Sequence, residues 1–226
     1  MKVVEVFYSL QGEGRLAGVP SLFIRLAGCS LHCSWCDTRY AWDPEEGADL
    51  DTEMIVRQAG QWSSRFVIIT GGEPMATTDL EIRPELVGLI QRFKAEGYHI
   101  TIETSGVVFI PDLACDLMSI SPKLDHFESS PQPTAEDRVE VLRQLIAHYD
   151  YQLKFVINSS HDRGKVQFLL DRIEGVDPVR IMLMPQAQTR EELLVKSPMV
   201  VQMCLENGWI FCQRLHILLW GPQSGR

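Results

Sequence analysis

The stretch Ser21-Leu-Phe-Ile-Arg-Leu-Ala27 runs without a break into Gly28-Cys29-Ser-Leu-His-Cys33-Ser-Trp-Cys36-Asp37-Thr38. Its first seven residues are short, apolar and partly β-branched, the make-up of a buried strand. A polar loop follows, with Cys29, Cys33 and Cys36 inside eight residues. The same order, a strand and then unusual residues, recurs outward along the chain. Residues 65–70 (RFVIIT) precede Gly71-Gly72-Glu73-Pro74, and 98–102 (YHITI) precede Glu103-Thr104-Ser105-Gly106. Residues 116–120 (DLMSI) precede Ser121-Pro122-Lys123, and 179–184 (VRIMLM) end in Met184-Pro185-Gln186. Residues 152–157 and 209–212 are also strand-like.

Helical patterns lie between these runs. In 84–96, Leu86, Leu89, Ile90 and Phe93 recur at helical spacing, with Pro84 suited to a first helical position and Gly97 to a stop. Thr134-Ala-Glu-Asp137 resembles a capping box, opening a helix with Val139, Leu142, Ile146 and Tyr149 on one stripe. Further helices are expected at 52–62, 161–173 and 189–207, the last divided by Pro198. The polar segment 129–133 reads as a loop. Alternating strands and helices imply parallel units with right-handed crossovers. About six such units fit, fewer than the eight of a full barrel. The pattern alone leaves a partial barrel and an open doubly wound sheet equally available. In either, the carboxyl ends of the strands share one face, so five polar clusters converge on one site.

The 226 residues are 45 % hydrophobic and 23 % charged, ordinary globular usage that excludes a disordered chain, a collagen repeat and a coiled coil. The net charge of −9 argues against a nucleic-acid partner, which needs a basic surface. No apolar run approaches a membrane span, and Glu5 interrupts any signal-peptide core, so the chain reads as soluble and cytoplasmic.

Six cysteines stand at 29, 33, 36, 115, 204 and 212. Clustered cysteines in a cytoplasmic chain point to metal or redox chemistry rather than to disulfides. A [4Fe–4S] cluster normally takes four cysteines, so three from one loop leave an iron open. The alternative is zinc, with Cys33 and Cys36 completed by Cys212 and His216 in a non-catalytic module, which leaves Cys29 unexplained. Cys115, Cys204 and Cys212 have apolar neighbours and read as core residues.

Cys-x₃-Cys-x-aromatic-Cys after one strand, with Gly-Gly-Glu-Pro after another, resembles the radical S-adenosylmethionine (SAM) superfamily. The resemblance implies a partial or modified (βα)₆ barrel of the radical SAM type with parallel strands, as a single domain over 1–226. It also implies a [4Fe–4S] cluster on Cys29, Cys33 and Cys36, whose open iron chelates SAM. Trp35, Cys36, Asp37, Gly71, Gly72, Glu73, Ser121, Pro122, Lys123, Met184, Pro185 and Gln186 then correspond to the SAM site.

Phe7-Tyr-Ser-Leu-Gln-Gly-Glu-Gly14, Arg25, Cys36-Asp37-Thr38, Ser121-Pro122-Lys123, Met184-Pro185-Gln186 and Leu215-His216 are together similar to the 7-carboxy-7-deazaguanine synthases, over nearly the whole chain. That resemblance implies ring contraction of 6-carboxy-5,6,7,8-tetrahydropterin with loss of ammonia, on the route to queuosine and other deazapurines. It places Leu10, Gln11, Gly12, Glu13, Arg25, Thr70 and His216 on the substrate and Thr38 on a magnesium ion. Arg25 suits the substrate carboxylate, since a buried arginine needs an anion. It further implies an external one-electron donor, such as flavodoxin or ferredoxin, and a homodimer. Some members end in a proline whose carboxylate touches the substrate, whereas this chain ends Gln223-Ser-Gly-Arg226. An activase that installs a glycyl radical on a partner enzyme would share the cysteine loop, but would not require Leu10 to Gly14, Arg25 and His216 together.

Overall fold

The computed structural model describes residues 1–124, 134–221, 223 and 225. The loop expected at 129–133 and the terminal Arg226 lie outside them. Nine strands form one sheet: β1 (Lys2–Leu10), β2 (Pro20–Leu26), β3 (Ala48–Asp49), β4 (Phe66–Gly71), β5 (His99–Thr104), β6 (Leu117–Ile120), β7 (Tyr151–Ile157), β8 (Ile181–Pro185) and β9 (Ile210–Phe211). Their spatial order is β3-β1-β2-β4-β5-β6-β7-β8-β9. From β2 through β9 each neighbouring pair is parallel. The helices are α1 (Thr52–Ala59), α2 (Pro84–Ala95), α3 (Ala135–His148), α4 (Asp162–Ile173), α5 (Arg190–Asn207) and α6 (Leu215–Trp220).

The expected strands are present within two residues at their ends. The exception to an all-parallel sheet is at its start. β1 pairs antiparallel with β2, Tyr8 opposite Leu22 and Glu5 opposite Arg25, and β3 pairs antiparallel with β1. Only residues 11–19 join β1 to β2, too short for the crossover of about a dozen residues that parallel neighbours need. The sheet ends at β3 and β9 and does not close, an arrangement compatible with a partial barrel. Its curl still brings distant parts together. The β1–β2 connection meets the segment after β9, where Gly14 N–H donates to Cys212 Sγ (3.0 Å) and Leu215 N–H to the Gly12 carbonyl (2.8 Å).

The helices form for local reasons that the sequence carries. Pro84 opens α2, and its stripe of Leu86, Leu89, Ile90 and Phe93 is fully buried against the sheet. Gly97, at φ +78°, follows its C-cap. At α3 both bonds of the capping box form, Asp137 N–H to Thr134 Oγ1 (3.2 Å) and Thr134 N–H to Asp137 Oδ2 (2.9 Å). Its buried stripe runs through Val139, Leu142 and Leu145, with Ile146 at the margin. Tyr149 follows the helix and donates its hydroxyl to the Ile110 carbonyl.

Pro198 does not divide α5, which is continuous through it. A proline forfeits one bond to the carbonyl four residues back, here Leu194, which is exposed and free to meet water. The preceding turn keeps an extra bond, from Ser197 Oγ to the Leu193 carbonyl (2.6 Å). Among the described residues, no helix is long and apolar enough to cross a membrane.

Phe93 is among the largest fully buried side chains and packs edge-on against Tyr98 (centroids 5.1 Å apart). Phe93→Ala should lower the stability to urea unfolding by about 3–5 kcal/mol, read from the shift in midpoint at unchanged slope.

Candidate active site

The carboxyl ends of the parallel strands open onto one cavity of about 690 Å³. The β2 exit gives the cysteine loop, and Cys29, Cys33, Trp35, Cys36, Asp37 and Thr38 all line the cavity. The loop is tied by backbone bonds, Gly28 N–H to the Ala41 carbonyl (2.9 Å), Cys29 N–H to that of Trp42 (3.2 Å) and Cys36 N–H to that of Cys33 (3.0 Å). His32, held at φ +46°, stacks on Trp42 at 4.7 Å. Thr38 N–H donates to Cys36 Sγ (3.4 Å). Burial raises the pKa of the Cys29 thiol and pushes that of Cys33 up to about 11.

Thr70, Gly71 and Gly72 reach the cavity from the β4 exit. Gly72 N–H donates to the Leu26 carbonyl (3.0 Å) and Glu73 N–H to that of Gly28 (2.8 Å). A Cβ on Gly72 would lie 2.3 Å from the Gly28 carbonyl oxygen, so the approach of these two loops requires glycine. Glu73 itself lies behind the wall. It is buried, and its carboxylate accepts from Met75 N–H (3.1 Å), Thr104 Oγ1 (2.7 Å), Ser105 N–H (2.8 Å) and Ser105 Oγ. Its oxygens brace the loops that flank the cavity rather than facing into it. Pro122 and Pro185 are buried beside the cavity without lining it. Ser121, Lys123, Met184 and Gln186 do line it. Lys123 Nζ donates to Ser121 Oγ (2.9 Å) and sits 5.5 Å from the Trp35 ring.

Leu10, Gln11, Gly12, Glu13, Arg25 and His216 line another part of the same cavity. Arg25 is fixed by its own strand partner, Nε donating to Glu5 Oε1 (2.6 Å), with the Phe7 and Tyr40 rings each 5.9 Å away. Its Nη groups make no hydrogen bond among the described residues. Gln11 is buried and largely occupied, its Oε1 accepting from Glu13 N–H (3.1 Å) and its Nε2 donating to Glu103 Oε1 (3.0 Å). Glu13 lies between two cations, Lys154 Nζ at 2.8 Å and Arg214 Nε at 3.2 Å. Burial alone would raise its pKa, but these two cations hold the carboxyl well below the usual carboxylate range. Burial pushes His216 below the ordinary histidine value, which leaves the ring neutral at pH 7.

Four charged residues of the cavity had no role assigned from the sequence; one, Arg39, donates to the Ser34 carbonyl and lies 5.6 Å from the Trp42 ring. Glu103 lies one residue before the end of β5, and its Oε2 has no hydrogen-bond partner among the described residues. Lys154 lies inside β7, where a charge in a mostly apolar strand was the available signal. Arg214 clasps three segments, donating to Glu13, to Asp37 and to the Ala187 carbonyl.

Cys33 and Cys36 lie on the cysteine loop, while Cys212 takes the Gly14 N–H and packs with Met182 and Met184. Among the described residues, no three His, Cys, Asp or Glu gather as the ligands of a single ion, which leaves the zinc quartet unassembled. Three thiols around one cavity, and not around one point, suit a cluster in which each sulfur takes its own iron. Cys204 lies in the main core and Cys115 packs against it.

Residues 23–169 match the model of the radical SAM superfamily. The chain is 35 % identical to the 7-carboxy-7-deazaguanine synthase of Halobacterium salinarum, covering 97 % of the chain and 90 % of that protein. It is 34 % identical to the synthase of the same name from Rhodopirellula baltica, covering 99 % and 88 %. Its fold is similar to the crystal structure of QueE from Escherichia coli, with a TM-score of 0.72, 24 % identity, and coverage of 95 % of this chain and 94 % of that one.

Gly72→Ala should separate the β2 and β4 exits while sparing the distant helices. The expected outcome is retained far-ultraviolet circular dichroism, with loss of most of the iron bound on anaerobic reconstitution.

Proposed function

The chain belongs to the radical SAM superfamily and, within it, to the 7-carboxy-7-deazaguanine synthases, and we propose that it contracts the ring of 6-carboxy-5,6,7,8-tetrahydropterin to 7-carboxy-7-deazaguanine with loss of ammonia. It is a lyase of queuosine biosynthesis. The observation that carries the substrate reading is Arg25, fixed by Glu5 and flanked by two rings, in the same cavity as the three cysteines.

Cys29, Cys33 and Cys36 would hold the [4Fe–4S] cluster. When bound, the cluster and SAM supply the electron and the radical that takes a hydrogen atom from the substrate. The backbone at Gly71 and Gly72 admits the methionine end closely, and Glu73 keeps that backbone in place. Trp35 gives the adenine a flat apolar neighbour, while Ser121, Lys123, Met184 and Gln186 form the facing wall. Pro122 and Pro185 set the course of that wall.

On the substrate side, the Nη groups of Arg25 fork onto the carboxylate, a charge-assisted pair with matching geometry. Glu13 accepts from ring N–H groups, and Leu10, Gly12 and Thr70 shape the pocket around them. Neutral His216 donates from one ring nitrogen and accepts at the other. Asp37 anchors the cluster loop to Arg214. Thr38 offers a magnesium ion one hydroxyl oxygen. That ion prefers oxygen ligands and keeps waters, so a single hydroxyl would suffice as the protein's share.

The working unit on this reading is one domain over 1–226, cytoplasmic, paired as a homodimer and supplied by flavodoxin or ferredoxin. The support for the donor and the pairing is the family alone. A glycyl-radical activase or a metal-only module would leave Arg25, Glu13 and His216 without a task.

The test is an anaerobic assay of the reconstituted protein with SAM, reductant and the carboxytetrahydropterin, with and without magnesium. Deazaguanine product, reduced when magnesium is omitted, is the expected result. SAM cleavage without that product would overturn the assignment. Arg25→Ala should weaken carboxypterin binding at least about tenfold to a hundredfold, since each charge-assisted hydrogen bond lost is worth about 1.5–3 kcal/mol, at unchanged iron content.

A further inference from the structure

Lys154 sits in the middle of β7, where alternation turns Leu153 and Phe155 into the core and brings Lys154 and Val156 to the cavity. The lysine is only 3 % exposed. Its Nζ is 2.8 Å from Glu13 Oε2 and 3.5 Å from Glu103 Oε1. An ammonium buried to this degree is costly unless anions surround it, so its position is set by these two carboxylates. Glu13 comes from the β1–β2 connection and Glu103 from β5, and nothing local in the sequence brings them together.

Two carboxylates facing one low-dielectric cavity raise each other's proton affinity until one is protonated, unless a cation stands between them. Each ionised oxygen has two acceptor sites; Lys154 donates to one on Glu13 and stands beside Glu103 as an ion pair. The remaining sites face a cavity that both residues line.

We infer that Lys154 is a positioning residue that keeps Glu13 and Glu103 ionised together, as paired acceptors for the N–H-rich edge of the substrate ring. The inference rests on the substrate reading above and deepens it.

The groups around the pair decide where loss of the lysine would be felt. Glu13 keeps Arg214 on its other oxygen, with His216 and Cys212 beside it and Asp37 on the far side of Arg214. Glu103 has Gln11 as a neutral donor and Arg25 at longer range. Among the described residues, Lys154 is its one cation within ion-pair distance. Without the lysine, Glu103 is the carboxyl whose proton affinity rises most. The protonated form no longer accepts at that oxygen, so affinity is lost as pH falls.

The experiment is calorimetric titration of the cluster-loaded, SAM-bound enzyme with 6-carboxypterin between pH 5.5 and 7.5. The pterin's own titration is common to every variant. Wild-type affinity should change less than about threefold over the range. In Lys154→Met it should fall about tenfold from pH 7.5 to 5.5, and Lys154→Arg should restore the flat profile. A Lys154→Met profile parallel to wild type, merely weaker throughout, would overturn the inference and leave the substrate reading standing. No binding to the wild type would overturn both. Wild-type binding measured at pH 6 in two buffers of different ionisation enthalpy gives a check that needs no variant to fold. No net proton exchange supports the pair as fully ionised, and release or uptake of a proton overturns it.

Discussion

The site depends on one buried carboxylate. Glu73 is 1 % exposed, and a carboxylate in that position stays only if every part of it is met by donors. Four donors meet it, three of them from Thr104 and Ser105 at the β5 exit. Its own N–H reaches back to the Gly28 carbonyl at the β2 exit. One residue therefore fixes three neighbouring strand exits to each other. Where those exits meet, Gly71 and Gly72 carry no side chain, so the backbones of β2 and β4 nearly touch. The cysteine loop starts from that junction, and its place in the cavity follows from it. The Gly-Gly-Glu triplet thus works as a unit: the glycines permit the approach and the acid locks it.

The cavity has two chemically different sides. Around the cysteine loop stand three thiols, an indole and the Lys123–Ser121 pair. Elsewhere it is lined by Glu13, Glu103, Lys154, Arg214, Arg25 and His216. A chain with a net charge of −9 thereby gathers its useful cations locally, each already held by a carboxylate. Buried pairs of this kind are weak evidence for stability. They are better understood as fixed charges, set in direction before any ligand arrives.

Much of this was legible in the sequence, and the physical reason is the parallel sheet. Strands buried on both faces read as short apolar runs, so β2 and β4 to β8 stand out, and a parallel arrangement sends their exits to one side. β1 escaped because Lys2–Leu10 is mostly half-buried and lacks such a run. The capping box of α3 and the proline start of α2 are local and were readable. The course of α5 through Pro198 was not, because it depends on the exposure of Leu194. Arg214 and Lys154 were missed for a different reason. Each is defined by a partner 201 or 141 residues away, and spacing along the chain carries no trace of such a contact.

The fixed charges also give the substrate a direction. Around Arg214 and Lys154 stand three carboxylates, Glu13, Asp37 and Glu103, so that group carries one negative charge in excess. Arg25 stands apart from it, balanced by Glu5 but with its Nη groups free to take a second anion. An anionic ring acid placed with its carboxylate on the acidic group would meet like charge. Turned round, the same molecule puts its carboxylate on Arg25 and its ring N–H groups on Glu13 and Glu103. On the proposed reading the electrostatics therefore select one orientation of the pterin, independently of shape. That selection requires the acidic group to stay ionised, which is the condition that a buried lysine in the middle of a strand can impose.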